Sequence, residues 1–218
     1  MPAFVIAIDG PAASGKGTLA RRLAAHLNFA HLDTGRLYRA AAFLVLQKGG
    51  NPADPAIAEA AAGRIDPILL EDPRLLREAV AQASSVVAAI PAVRTALLAF
   101  QRDFAAHPPG SAGGAVLDGR DIGTTVCPDA AVKLFVTASL EARARRRLRE
   151  LRESGATAIY RDVLQDMMER DARDSERRVA PLAAAPDAVT IDTTGLDADQ
   201  VFEFASGLIA RALAAHGH

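Results

Sequence analysis

The chain has one cysteine, Cys127, no tryptophan, and lysine only at Lys16, Lys48 and Lys133. A single thiol excludes a disulfide framework and any zinc site built on several cysteines, and it suits a reducing compartment. No apolar run approaches the roughly 18 residues of a membrane span. The opening MPAFVIAIDGP lacks the basic head and the length of a signal peptide. There is no excess of either charge: 25 basic groups face 26 acidic ones, which argues against wholesale nucleic-acid binding by a basic surface. What remains reads as a cytoplasmic globular protein of 218 residues, long enough for one sizeable core but not two, with neither membrane nor nucleic acid as partner.

What is present is an α/β pattern. Short apolar strands are predicted at residues 3–8, 29–32, 115–118, 132–136 and 188–191. Between them lie amphipathic helices over 16–27, where Leu19, Leu23 and Leu27 recur one turn apart, and from Tyr38 to Gln47. Further helices are predicted near 139–153, 158–178 and 197–214, with Ser139 and Asp197 as N-caps. Residues 52–110 read as alanine-rich helix interrupted by prolines at 55, 67, 73 and 91. Strands alternating with helices imply a parallel sheet. Charge is unevenly spread: 11 of the 22 arginines fall between Arg143 and Arg178. Arg143, Arg145, Arg146, Arg147, Arg149 and Arg152 are expected on a solvated helix face. The acid-interleaved segment 141–178 shows no continuous apolar face to anchor it.

The most informative stretch is Gly10-Pro11-Ala12-Ala13-Ser14-Gly15-Lys16-Gly17-Thr18. It fits G-x-x-x-x-G-K between a predicted strand and a predicted helix, the context in which that spacing binds a nucleotide polyphosphate. Glycines at 10 and 15 let successive N–H groups turn inward toward an anion. The helix N-terminus adds a partial positive charge, and Lys16 a mobile cation. The hydroxyl falls at Thr18, one residue later than in the usual G-K-[ST]; this resembles the G-K-G-[ST] loop of nucleoside monophosphate kinases, a likeness that implies Thr18 faces the phosphates and a Mg²⁺ shell.

Two more strands end in charged motifs. Asp33-Thr34-Gly35-Arg36-Leu37-Tyr38-Arg39 and Asp118-Gly119-Arg120-Asp121-Ile122-Gly123-Thr124 place hydroxyls, arginines and acids at the carboxyl edge of the sheet, where such folds bind ligands. Asp118 follows its strand as a metal-shell acid would, although a purely structural role suits it equally. Arg170, Arg173, Asp174 and Arg177 share one face if their segment is helical. Cys127 beside Pro128 reads as a small buried thiol. His26, His31 and His107 show no ligand spacing and read as surface or core-edge residues.

These blocks together, IDGPAASGKGT, LDTGRLYR, SSVVAAIPAVRTAL, LDGRDIGTTVCPDAAVKLFV and ERDARDSERRVAPL, resemble bacterial cytidylate kinases, in the family's order from residue 6 to 182. The resemblance implies a parallel-sheet P-loop NTPase core flanked by helices (residues 1–39, 111–140 and 179–218). It also implies a nucleotide-monophosphate-binding insertion (40–110) and a mobile lid with flanking helices (141–178). It implies transfer of the γ-phosphoryl of ATP, with Mg²⁺, to CMP or dCMP. On this likeness Thr34 lies near the acceptor's sugar, and Arg39 and Arg120 on the acceptor and transferring phosphates. Ser85, Arg94, Asp121 and Arg177 surround the cytosine ring, Arg170 and Asp174 approach the pentose, and Arg173 belongs to the closing lid. Lys16, Arg120, Arg170 and Arg173 are then the catalytic cations. The small β-rich insertion of the family's long form looks truncated here, over residues 50–80. Two other readings stand beside this one: a P-loop kinase for a different small acceptor, and a module that binds a nucleotide without turning it over.

Overall fold

The computed structural model describes residues 3–216; residues 1–2 and 217–218, assigned above to the core segments, lie outside it. Five parallel strands form one sheet: β1 (Phe4–Asp9), β2 (Ala30–Asp33), β3 (Gly114–Gly119), β4 (Val132–Thr137) and β5 (Val189–Asp192), in the order β2-β3-β1-β4-β5. β1 and β3 are buried along almost their whole length, which explains why they read as unbroken apolar runs rather than as alternation. Successive side chains still separate by face. Ala7 and Leu117 join a core under helices α2 (Thr34–Gln47), α4 (Glu78–Val87) and α5 (Pro91–Ala106), whereas Ile6, Ile8 and Val116 join one under α1 (Lys16–Leu27) and α8 (Ala198–His216). The register sets Asp9 beside Gly119 and Asp33 beside Asp118, so the charged motifs end level on one edge.

The connection from β2 to β3 contains helices and no strand among the described residues, with α3 (Pro55–Ala62) and two short 3-10 turns, Pro67–Glu71 and Pro73–Leu76, beside α2, α4 and α5. Its prolines start elements instead of breaking them. Asp54, Asp66 and Asp72 each precede a proline and accept backbone N–H bonds as N-caps. The chain thus packs a small insertion from short capped pieces and contains none of the strands that a β-rich insertion would need.

Helices α6 (Leu140–Glu153) and α7 (Tyr160–Glu176) meet around Gly155, whose φ of +83° suits the reversal. Here the sequence reading needs correction. Ala144, Val163 and Met167 are buried together, and Leu140, Leu148, Leu151 and Leu164 pack on them with Ala12 and Ala13 of the anion loop. The apolar face was hidden because its members are few and divided between two helices whose register is visible only once they pair. No single helix among the described residues is long and apolar enough to cross a membrane.

Candidate active site

Between β1 and α1 the backbone curls as the glycine spacing requires. Gly10 adopts φ +150°, and a Cβ there would stand 2.0 Å from the Val136 carbonyl oxygen, so the loop lies directly against β4. Gly15, at φ +92°, opens α1, and Ala13 takes the left-handed region at φ +56°. Ala12, Ala13, Gly15, Lys16, Gly17 and Thr18 line a cleft. Gly10, Pro11 and Ser14 stand behind that lining: the Pro11 carbonyl accepts a bond from Lys16 Nζ (3.3 Å), and the Ser14 carbonyl accepts one from Thr193 Oγ1 (2.9 Å). Burial, then the nearby Arg120 charge, lowers the Lys16 pKa to about 7.

Across the cleft stand Thr34, Arg39, Ser85, Arg94, Arg120, Asp121, Arg170, Asp174 and Arg177, all of the acceptor-side residues expected from the sequence. Thr34 Oγ1 donates to the Asp118 carbonyl (2.8 Å), tying α2 to the end of β3. Arg39 reaches the Leu75 carbonyl at 3.1 Å. Asp174 binds Arg120 Nε at 2.9 Å; burial alone would raise its pKa, but Arg120 and Arg170 outweigh that and hold it below the usual carboxylate range. Arg94, stacked 5.3 Å from the centre of the Tyr38 ring, donates to Asp121 Oδ2 at 2.5 Å, while Arg177 stands 3.8 Å from Oδ1. Desolvation and then the neighbouring Arg120 bring Arg170 down to about 10, and burial followed by Arg94 lowers Arg177. Ser85 Oγ, Arg170 Nε and a terminal nitrogen of Arg177, buried atoms of residues that line the cleft, have no hydrogen-bond partner within the protein.

Among the candidate catalytic and acceptor-side residues, Arg173 alone does not line the cleft; its Nε donates to the Glu169 carbonyl (3.3 Å) one turn back. Other groups entered where the sequence did not point. Arg147 lines the cleft and pairs with Glu78 and Glu150. Arg143, only 6% exposed, bonds the carbonyls of Ala138 (2.9 Å) and Ala12 (3.4 Å) and the Asp171 carboxylate (2.6 Å). Arg146 reaches Ser14 O and both oxygens of Thr193. These three are therefore not solvated surface. Arg143 and Arg146 fasten the root of α6 to the outer carbonyls of the anion loop, and no local pattern in an arginine-rich helix distinguishes such a residue from its exposed neighbours. Arg143→Ala is expected to cost about 3 kcal/mol in urea unfolding because Asp171 loses its partner. Arg145→Ala, on the exposed side, should shift stability by less than about 0.5 kcal/mol. His31 sits at the core edge as expected, with its Nε2 2.8 Å from Asp118 Oδ1. Cys127 is half-buried rather than fully buried, and burial pushes its thiol up to about 11.

The family profile described as Cytidylate kinase matches residues 6–211. The chain belongs to the cytidylate kinase family. Among its relatives, the cytidylate kinase of Rhodospirillum rubrum is 60% identical over 207 residues, covering 95% of this chain and 97% of the relative. That of Paramagnetospirillum magneticum is 62% identical over 205 residues, covering 94% and 97%. Among solved structures, an uncharacterized protein from Eubacterium ventriosum aligns with a TM-score of 0.52 at 14% identity, over 95% of this chain and 98% of that one, a likeness of fold alone. In this chain the anion loop and the segment carrying Arg120 and Asp121 after β3, the expected acceptor arm, line one cleft.

Proposed function

We propose that the chain is an ATP-dependent CMP and dCMP kinase, acting as a monomer in the cytoplasm, and that the cleft is its active site. The observation that carries this reading is an imbalance of charge. Eight cations line the cleft against five carboxylates, and Lys16, Arg39, Arg170 and Arg177 are all depressed by burial as their leading cause. Such crowding costs free energy until polyanions arrive, and two nucleotides with their phosphates facing each other supply the missing charge.

The core then carries the ATP cradle, the insertion 40–110 the acceptor's base, and the segment 141–178 the lid. Backbone N–H groups of 12–18 and Lys16 hold the donor's phosphates, while Arg39, Arg120 and Arg170 draw the acceptor phosphate alongside. The attacking phosphate oxygen is already anionic, so the residues orient it and cancel repulsion without a general base. No cluster of three or more His, Cys, Asp or Glu among the described residues suits a metal ion. That fits Mg²⁺, which takes most of its ligands from phosphates and water; Thr18, exposed at the cleft mouth, is the residue that would face it. When bound, the ion would neutralise charge on the β- and γ-phosphates. Arg173, outside the cleft, would enter this scheme only on lid closure.

Cytosine offers an amino donor and ring-nitrogen and carbonyl acceptors. Asp121 keeps Oδ1 able to accept from the amino group, and the Arg94 bond fixes the carboxylate plane. Uracil would set a carbonyl against that carboxylate and leave both unpaired, worth a factor of about 10² or more. A coupled ADP-release assay with CMP, dCMP, UMP and AMP tests this. Activity on CMP and dCMP should exceed that on UMP by this factor, and Asp121→Asn should erase most of the difference. Equal rates on all four acceptors would remove the assignment.

A further inference from the structure

Asp9 has no part in the scheme above, yet it is 4% exposed at the end of β1, one residue before the anion loop. Its two oxygens accept bonds from the backbone N–H groups of Ile122 (2.7 Å) and Gly123 (2.8 Å). Those amides open the turn Ile122–Val126, directly after Arg120 and Asp121. Within the turn, Thr125 and Val126 N–H both reach the Asp121 carbonyl (2.9 and 3.2 Å), and at its far end Arg102 of α5 bonds the Thr125 and Val126 carbonyls (3.0 and 3.2 Å). The bonds to Asp9 join the near end, beside Arg120 and Asp121, to the central strand. Gly123 fits there closely: a Cβ would lie 3.4 Å from Asp9 Oδ2 and 3.2 Å from the Lys133 side chain.

We infer that Asp9 is a positioning residue that joins the donor cradle to the acceptor arm, holding Arg120 and Asp121 at a set distance from the phosphate loop. The inference rests on the function proposed above for what that distance achieves, but the joint itself is independent of the acceptor's identity. A buried carboxylate bonded to two amides is a costly way to hold a turn, since burial is the main effect raising its pKa to about 6. The charged or titratable groups bearing on it are Asp121 from the arm, Lys16 from α1 and Cys127 from the end of the turn. Lys133 of β4 has its ammonium engaged by Asp187. The sign follows: the ionised form makes both bonds above pH 6, and protonation on the acid side turns one acceptor into a hydroxyl and releases an amide.

Two measurements test the joint. In Asp9→Asn, whose amide keeps one acceptor and sets a donor against the other N–H, KM for CMP should rise about tenfold or more while KM for ATP changes less than about threefold. Unchanged constants, or an equal rise in both, would overturn the inference. In the nucleotide-free wild type, the Gly123 amide proton resonance should move upfield with a midpoint near pH 6 as the carboxylate is protonated. A Gly123 resonance that stays fixed from neutral to mildly acidic pH overturns the inference whatever the variant does. The second measurement needs no acceptor, so its failure is distinct from failure of the CMP assignment. It also decides the matter if the variant does not fold.

Discussion

Replacing Lys16 by methionine is expected to lower turnover about 10³-fold or more, the scale on which a phosphoryl-transfer site loses an essential cation, without lowering the melting temperature near neutral pH. The two halves have one cause. Desolvation and the adjoining Arg120 depress the Lys16 pKa to about 7, far below its value in the unfolded chain. A lysine depressed in this way contributes fully to stability only above its unfolded pKa, and that contribution is lost as pH falls toward 7. At neutral pH the folded protein therefore bears the cost of a half-buried ammonium crowded by Arg120, which methionine relieves. Binding of ATP above pH 7 should also take up a proton as the phosphates restore the charge. Calorimetry in buffers of different ionisation enthalpy reads this uptake, which should vanish in the methionine variant. A variant with wild-type turnover would remove Lys16 from the chemistry, and one that simply unfolds would contradict the stability half.

The second large effect is at Arg120. Its bond to Asp174 (2.9 Å) joins the β3 arm to α7 across the cleft, and Asp174 is only 5% exposed. Arg120→Ala should lose about 10³ in turnover, as removal of a transition-state arginine does. It should also lose about 3 kcal/mol of stability, because a buried carboxylate is left without its nearest partner. The double variant Arg120→Ala/Asp174→Asn separates the two: stability should return, since the stranded charge is gone, while turnover should not. Recovery of activity together with stability would show that Arg120 acts only as a structural partner of Asp174. The Asp174 shift sets the direction with acid. Its pKa is held below the unfolded value, so the pair stabilises above that value and the contribution fades as pH falls through the folded pKa.

The parallel sheet and the cradle were legible because their determinants are local. Apolar runs of four to six residues ending in glycine or aspartate leave little choice of strand, and G-x-x-x-x-G-K between strand and helix leaves little choice of turn. Thr34 and Arg120 directly follow strand ends that share an edge, whereas Arg39 and Arg170, within α2 and α7, were expected from the family likeness. What sequence could not show were the partners of charged groups. Asp9 sits in the motif itself, but its role depends on amides at 122 and 123, more than a hundred residues away. Arg143 and Arg145 look alike in the chain; one is buried against the anion loop and the other faces solvent because of helix phase and the docking of α6. The ion pair between Arg94 and Asp121 was likewise hidden, since each residue was assigned to the base and neither to the other.

The central claim is that guanidinium groups from separate segments converge on two sets of phosphates in one cleft. A crystal structure with a bisubstrate inhibitor, adenosine and cytidine linked through five phosphates, tests it most directly. The account predicts Lys16, Arg39, Arg120 and Arg170 within hydrogen-bonding distance of the phosphate chain, the adenosine-side phosphates on the N–H groups of 12–18, and cytosine beside Asp121. A chain of phosphates bathed in solvent, with those side chains turned away and the cytosine outside the Arg94–Asp121 corner, would contradict it.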